Sequence, residues 1–469
     1  MRRRLAATIT LMVAMLMDLM DSTITNVALP TISADLNATP AQLEWTLVGY
    51  VVAFATLLIT GGRLGDIYGR KRIFLVGVIG FTVASALASL AWSADFLIVT
   101  RIIQGALAGV MVPQVLSSVQ VMYTPEERGP VFGIIGALTS IGAIGGLLLG
   151  GWLVTANLFD TGWRSIFLIN VPVGCILVVA ALLCIPESRS EHPLRLDLAG
   201  VFLGTLAVIL LVLPLTEGRA AGWAWWIWAM LIAAPFVIAI FIWQQHHRST
   251  GVGAQLLPLP LFKIHSFSSG LLVQVLCSMG HGGFALILLF HMQSVFHFTS
   301  FSAGLTLLPI ALGSIVGTPL AMFLMNKLGK WAVLLGGLMQ AGAYFWAMII
   351  IEGSGTTLNG WSLVPALGLA GIGMMVLNMP QISIALSKIP PADAGAASGT
   401  LTTIGQVGMV FGIALSGTAY FGATSDSSQD ITAGLLVIII AYALSGLAGA
   451  ITMPAADTSA GDTAADARQ

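Results

Sequence analysis

Fourteen apolar runs, each close to the twenty residues a helix needs to cross about 30 Å of hydrocarbon, divide this chain from end to end. They fall at 6–29, 45–62, 73–92, 96–118, 130–154 and 165–185, then at 198–215 and 224–243. Six more follow at 268–290, 302–324, 331–351, 361–385, 399–421 and 431–452. Inside hydrocarbon every backbone N–H and C=O must find its partner within the protein, and single runs of this length do so as helices. The expected fold class is therefore an all-α polytopic membrane protein with 14 spans. With 57% hydrophobic and only 8% charged residues, the chain has too little polar surface for a soluble domain.

An even number of spans puts both termini on one side, and the basic residues say which. Of the nineteen Lys and Arg residues, sixteen fall in segments on the N-terminal side, two (Arg164 and Arg219) fall opposite, and Arg101 lies within the fourth run. By the positive-inside rule both termini are expected to be cytoplasmic in the cell membrane. The first run follows Met1–Arg4 as a signal peptide would, yet it is too long for one and carries two acids, so it reads as a retained helix. The basic residues are scattered without an aromatic-laced face, which excludes nucleic acid as a partner. Cys175, Cys184 and Cys277 lie in apolar runs at no metal-ligand spacing, so neither a disulfide framework nor a metal site is expected.

The chain also repeats itself. Gly136-Ala-Leu-Thr-Ser-Ile-Gly-Ala-Ile-Gly145 in the fifth run aligns with Gly399-Thr-Leu-Thr-Thr-Ile-Gly-Gln-Val-Gly408 in the thirteenth. Pro125-Glu-Glu-Arg-Gly129 aligns with Pro391-Ala-Asp-Ala-Gly395, and Pro113-Gln114 with Pro380-Gln381. Such spacing reads as two parallel six-helix bundles, 1–190 and 251–453. Between them, 191–250 has no counterpart and is expected to insert two helices. The four tryptophans Trp223, Trp225, Trp226 and Trp228 would anchor that pair at the outer interface. The tail 454–469 is rich in Ala, Asp and Thr and reads as disordered.

Only Asp18, Asp21 and Arg101 place charge well inside the runs, and charge in hydrocarbon is a functional signal by default. At 1.5 Å per residue, Asp21 lies about 12 Å and Asp18 about 16 Å below the outer end near Leu29, and Arg101 roughly 8 Å below Phe96. Asp21 and Arg101 match best and are expected to pair. Asp18 is then left without a basic partner, where desolvation favours its neutral form and suits it to carrying a proton. Asp18, Asp21, Ser22 and Thr25 share one helical face, expected to line a cavity. Asn26, Gln114, His281, Asn378, Gln381 and Gln406 are further polar candidates for the substrate side; each could equally serve as interhelical glue.

Between the second and third runs stands Gly62-Arg-Leu-Gly-Asp66-Ile-Tyr-Gly69-Arg70-Lys71-Arg72, expected as a short cytoplasmic turn. It is similar to the cytoplasmic signature G-x-L-a-D-r-x-G-r-k of the major facilitator superfamily. Leu97–Gly105, with Arg101, Gln104 and Gly105, resembles that family's fourth-helix R-x-x-Q-G motif, whose arginine is associated with proton coupling. Asp21-Ser-Thr-Ile-Thr-Asn-Val-Ala-Leu-Pro30, the stretch Trp163-Arg164 through Pro172, and Asp393–Gly399 resemble motifs of its 14-helix drug:proton antiporter branch. An inserted helix pair is a hallmark of that branch. Two departures stand out. The fifth-helix antiporter motif has Gly-Pro where this chain has Gly146-Leu147, and Asn326-Lys-Leu-Gly329 lacks the acid of the second-half signature.

The resemblance implies a proton-coupled exporter of drugs or of cationic or amphipathic metabolites, working by alternating access. Asp21 and Arg101 would couple the proton, joined by Asp18, which lies outside the branch motif and whose role rests on the desolvation argument alone, with Gly62, Asp66, Gly69, Arg70, Lys71 and Arg128 as the cytoplasmic gate. A proton symporter importing a nutrient is the alternative, and the missing proline keeps it open. A membrane sensor is more remote, since no loop is long enough for a soluble domain. An intramembrane enzyme is not expected, because Asp18 and Asp21 lack a second helix's carboxylate to form a dyad. Expected partners are a small-molecule substrate and the lipid bilayer, with room for an accessory envelope protein. The chain is expected to act as a monomer with no cofactor beyond the proton.

Overall fold

The computed structural model describes residues 2–123, 142, 145–157, 160–189, 196–218, 221–249, 259–355, 358–389, 394–422 and 431–454. Among them the secondary structure is helical throughout, and thirteen helices are long and apolar enough to cross a membrane. In chain order these are α1 (Arg2–Leu36), α2 (Pro40–Tyr68), α3 (Arg70–Ser89) and α4 (Ala94–Met122). After the short apolar α5 (Gly145–Ala156) come α6 (Gly162–Cys184), α7 (Leu198–Glu217) and α8 (Trp225–Ser249). The second half holds α9 (His265–Ser294), α10 (Ser300–Leu328), α11 (Lys330–Gly353), α12 (Gly360–Leu386), α13 (Ala394–Gly422) and α14 (Ile431–Thr452). The span expected at 130–154 lies partly outside the described residues, and α5 is its described part.

Helices outrun the hydrophobic windows because a membrane helix goes on until something stops it. The first runs through Pro30 to Leu36, well past the expected end at 29. The second starts at Pro40, where Thr39 caps it: Gln42 N–H donates to Thr39 Oγ1 at 3.3 Å and Thr39 N–H to Gln42 Oε1 at 3.0 Å. It runs to Tyr68, so Gly62, Gly65 and Asp66 lie on its last turns and not in the expected loop. Gly69 alone makes the turn, at φ 106°, a conformation that side chains resist.

Each half repeats one packing scheme. Helix α2 packs along α4, α3 along α4 and α6, and α1 along α6; correspondingly α10 packs along α12, α11 along α12 and α14, and α9 along α14. Close approach is bought with small residues, as lipid-embedded packing requires. At Gly105 of α4 an added Cβ would overlap the carbonyl oxygen of Tyr50 on α2, and at Gly371 of α12 it would overlap that of Ile310 on α10.

Where contacts join the two halves, they lie toward the end opposite the arginine-rich Gly69 turn, hereafter the far face. Gln293 of α9 donates to Val27 O of α1 at 3.0 Å, Phe301 N–H donates to Thr155 Oγ1 at 3.3 Å, and Glu44 of α2 abuts Gly417 of α13. The inserted hairpin leans on this junction, with α7 touching both α2 and α13 and Thr418 donating to Leu215 O at 2.7 Å. At its other end Asp197 accepts from Gln244 and Gln245 at 2.9 and 2.6 Å, tying the base of α8 to that of α7. Trp225 and Trp228 are exposed at the far-face end of α8, and Trp223 stands 5.6 Å from Trp228.

Candidate functional site

The polar face of α1 turns inward. Asp21, only 1% exposed, is surrounded by donors from two other helices. Arg101 Nη1 of α4 lies 2.5 Å from its Oδ2, while Gln104 Nε2 and Asn170 Nδ2 reach its Oδ1 at 2.9 and 2.6 Å. Ser85 of α3 accepts from Gln104 at 2.8 Å and from Asn170 at 3.3 Å, and Arg101 also bonds Gln104 Oε1 at 2.7 Å. A carboxylate and a guanidinium persist here because nearly every lone pair and proton is used; a buried pair with one partner removed costs about 3–5 kcal/mol.

Asp18 sits one helical turn away and is 6% exposed. Among the described residues no ion pair reaches it, as expected, but it is not alone. The Tyr50 hydroxyl donates to Asp18 Oδ1, and the Tyr50 ring lies beneath the Arg101 guanidinium, whose carbon is 4.2 Å from the ring centre. Phe167 of α6 stands on the guanidinium as well, at 5.6 Å. Tyr50 is placed by the Gly105 contact, which draws its stretch of α2 onto α4 one turn from Arg101.

The depth estimate found the right partner for Asp21 although α1 is longer than expected. Asp35 accepts from Trp163 at 2.9 Å and from Arg164 at 2.6 Å, and Arg164 donates to Ala91 O at 2.9 Å, which levels the far ends of α1 and α4.

The other expected cavity residues separate into groups. Ser22, Thr25 and Asn26 bond their own helix, Ser22 to Leu19 O at 2.8 Å, Thr25 to Asp21 O at 3.1 Å and Asn26 to Ser22 O at 3.2 Å. Thr25 is fully buried, so it lines no open surface. Gln114 and Gln381 are also fully buried and clamp neighbouring helices, Gln114 to Gly61 O at 2.7 Å and Gln381 to Gly270 O at 3.0 Å. Both are interhelical glue. His281 and Asn378 come together around Cys277: His281 Nδ1 lies 2.9 Å from Cys277 O, and the Cys277 thiol is 3.4 Å from Asn378 Oδ1. Gln406 is half-buried on α13, apart from both clusters. A cleft of about 630 Å³ lies elsewhere again, between α10 and α12 with the exposed Leu312, Val316 and Trp361 on its walls.

At the arginine-rich face Arg70 pairs with Asp66 at 2.8 Å. The turn at Gly69 is held from the end of α6, a contact that sequence reading missed: Glu187 accepts from Lys71 N–H at 3.1 Å and lies 3.6 Å from Arg72, and Lys71 Nζ donates to Leu182 O at 2.8 Å. Gly62 is on α2, and Arg128 lies outside the described residues.

Tyr50, Ser85 and Asn170 were not singled out from sequence. Asn170 sat inside the Trp163–Pro172 motif, which was a usable signal. Tyr50 has no such signal; only the packed helices show it one turn from Thr46, whose O accepts from Arg101 Nε at 3.4 Å.

Similarity to known proteins agrees with this architecture. The chain is 38% identical to the "Probable actinorhodin transporter" of Streptomyces coelicolor over 90% of its own length and 73% of that protein. It is 32% identical to a puromycin resistance protein of Streptomyces alboniger, covering 91% of this chain and 84% of the relative. To the tetracenomycin C resistance and export protein of Streptomyces glaucescens it is 31% identical, covering 89% and 76%. In fold it is similar to a D-xylose-proton symporter crystal structure, with TM-score 0.67 and 14% identity over 97% of this chain and 99% of that one. Residues 11–413 match the pattern of the Major Facilitator Superfamily. This chain is a membrane transporter of the Major Facilitator Superfamily.

Proposed function

We propose that this transporter is a proton-coupled exporter of drugs or of small cationic or amphipathic metabolites, exchanging an outward-moving substrate for an inward-moving proton. The observation that carries the reading is the pair of buried carboxylates, Asp18 and Asp21, on one turn of α1 beside a single buried arginine. Relatives that export or confer resistance to antibiotics support the direction and the substrate class. The 14-helix antiporter branch fits the inserted pair α7 and α8.

In this reading residues 1–190 and 251–453 are the two rocking bundles, 191–250 the inserted pair, and the arginine-rich face is cytoplasmic. Contacts between the halves at the far face support a conformation closed to the outside. A proton arriving from outside neutralises a carboxylate of α1, weakens its hold on neighbouring donors and shifts the balance between the two arrangements. Asp18 is the better carrier, because Asp21 is committed to Arg101, Gln104 and Asn170. The Asp66–Arg70 pair and the Glu187 contacts stiffen the α2–α3 turn, which moves with its bundle as a latch.

A panel of puromycin, aromatic polyketides and cationic dyes, tried on cells lacking other exporters, tests the reading. Expression should lower susceptibility to some of them and do so only while a proton gradient is maintained. Protection that survives collapse of the gradient, or accumulation in place of efflux, contradicts it.

A further inference from the structure

We propose that Tyr50 is a positioning residue that makes the charge state of Asp18 felt by the Asp21–Arg101 pair. Its two ends do different work. The hydroxyl donates to Asp18, and the ring face carries the guanidinium that Asp21 holds from the other side. Asp18 feels Asp21 and Arg101 through space, but among the described residues no direct hydrogen bond joins it to either, and the phenol is the bonded link between the two charged sites.

The physics runs through the ring. A phenol that donates to a carboxylate becomes more electron-rich, and its face attracts a cation more strongly; donation to a neutral carboxyl polarises it less. Protonating Asp18 therefore loosens the stack beneath Arg101. The guanidinium is then held by Asp21, Gln104 and Thr46 O, with Phe167 on its remaining face. The charged groups acting on Tyr50 are Asp18 and Asp21 from α1 and Arg101 from α4; α3 and α6 bring only the neutral Ser85, Asn170 and Phe167 into this network. The inference rests on the proton-coupled reading above and adds to it how one carboxylate informs the other.

Tyr50→Phe separates the two ends of the residue, since it keeps the ring beneath Arg101 and deletes the donor to Asp18. The test is infrared titration of full-length protein in liposomes, alongside the pH profile of ethidium efflux, for the wild type, Tyr50→Phe, Asp18→Asn and the double variant. The wild type should show a protonated-carboxyl band that Asp18→Asn removes. Tyr50→Phe should shift that band to higher wavenumber and move its titration midpoint by about half a pH unit or more. In the efflux profile Tyr50→Phe should likewise move the midpoint, and in the Asp18→Asn background, read by the pH profile of equilibrium ethidium exchange, it should change nothing further. A band and midpoint left at their wild-type values by Tyr50→Phe, or an equal effect of Tyr50→Phe with and without Asp18, overturns the proposal. Wild-type efflux indifferent to pH counts against proton coupling itself, and the infrared band still decides on Tyr50.

Discussion

The same four helix positions carry opposite chemistry in the two halves. In the first, α1, α3, α4 and α6 meet around Asp21, Ser85, Arg101, Gln104 and Asn170, with an ion pair at the centre. In the second, α9, α11, α12 and α14 meet around Cys277 and His281, Tyr344, Asn378 and Tyr442. There the contacts are a thiol on an amide, the His281 ring edge-on to Tyr442 at 5.6 Å, and Tyr344 stacked on Tyr442 at 5.4 Å. The two halves share a packing scheme but not a core. A pair of charges held by helices that must keep their register is costly to break and sensitive to protons, whereas an aromatic and amide cluster tolerates change. The half that holds the ion pair is thus suited to energy coupling, and the half that holds the rings to packing or to contact with an apolar substrate.

The sharpest way to break this contrast is to strand a charge. Arg101→Ala should leave Asp21 buried without its cation and destabilise the protein by about 3–5 kcal/mol, read as a fall in the thermal unfolding temperature in detergent. Exchanging the charges, Asp21→Arg with Arg101→Asp, should recover stability that neither single variant keeps; strict additivity of the two would argue against their contact. Next in size is the approach of α2 to α4. Gly105→Ala should cost about 1–3 kcal/mol by pushing Tyr50 away, and Gly371→Ala should cost a similar amount in the second half, since the scaffold is common to both. Unequal penalties measured by the same unfolding assay would mean that the halves do not pack alike. The smallest effect belongs to the neutral cluster. Cys277→Ser should cost about 1 kcal/mol and leave the pH profile of transport where it was; a displaced profile would give the second half a part in coupling.

Much of this was legible in the sequence, for identifiable reasons. Span positions follow from hydropathy, and the Asp21–Arg101 pair from the scarcity of charge in hydrocarbon. Neutral residues give no such warning. Ser85 and Tyr50 cost little in an apolar helix, so nothing in the chain marks them until α2 and α3 are laid against α1 and α4. Gln114 shows the limit of the same signal: a polar residue in a span reads equally as cavity wall or as glue, and only the packed helices place its Nε2 on the Gly61 carbonyl. Helix ends were read short because hydropathy reports the membrane, while Thr39 and Gly69 report where the helix begins and stops.

Central to the account is that Asp18, the carboxylate without a cation, carries the coupling proton. Proteoliposomes holding the wild type or Asp18→Asn, loaded with ethidium and given an imposed pH gradient, test this most directly. The account predicts that Asp18→Asn folds, still exchanges dye across the membrane at equilibrium, and fails to move it against its gradient. Gradient-driven efflux by Asp18→Asn at the wild-type rate would contradict it.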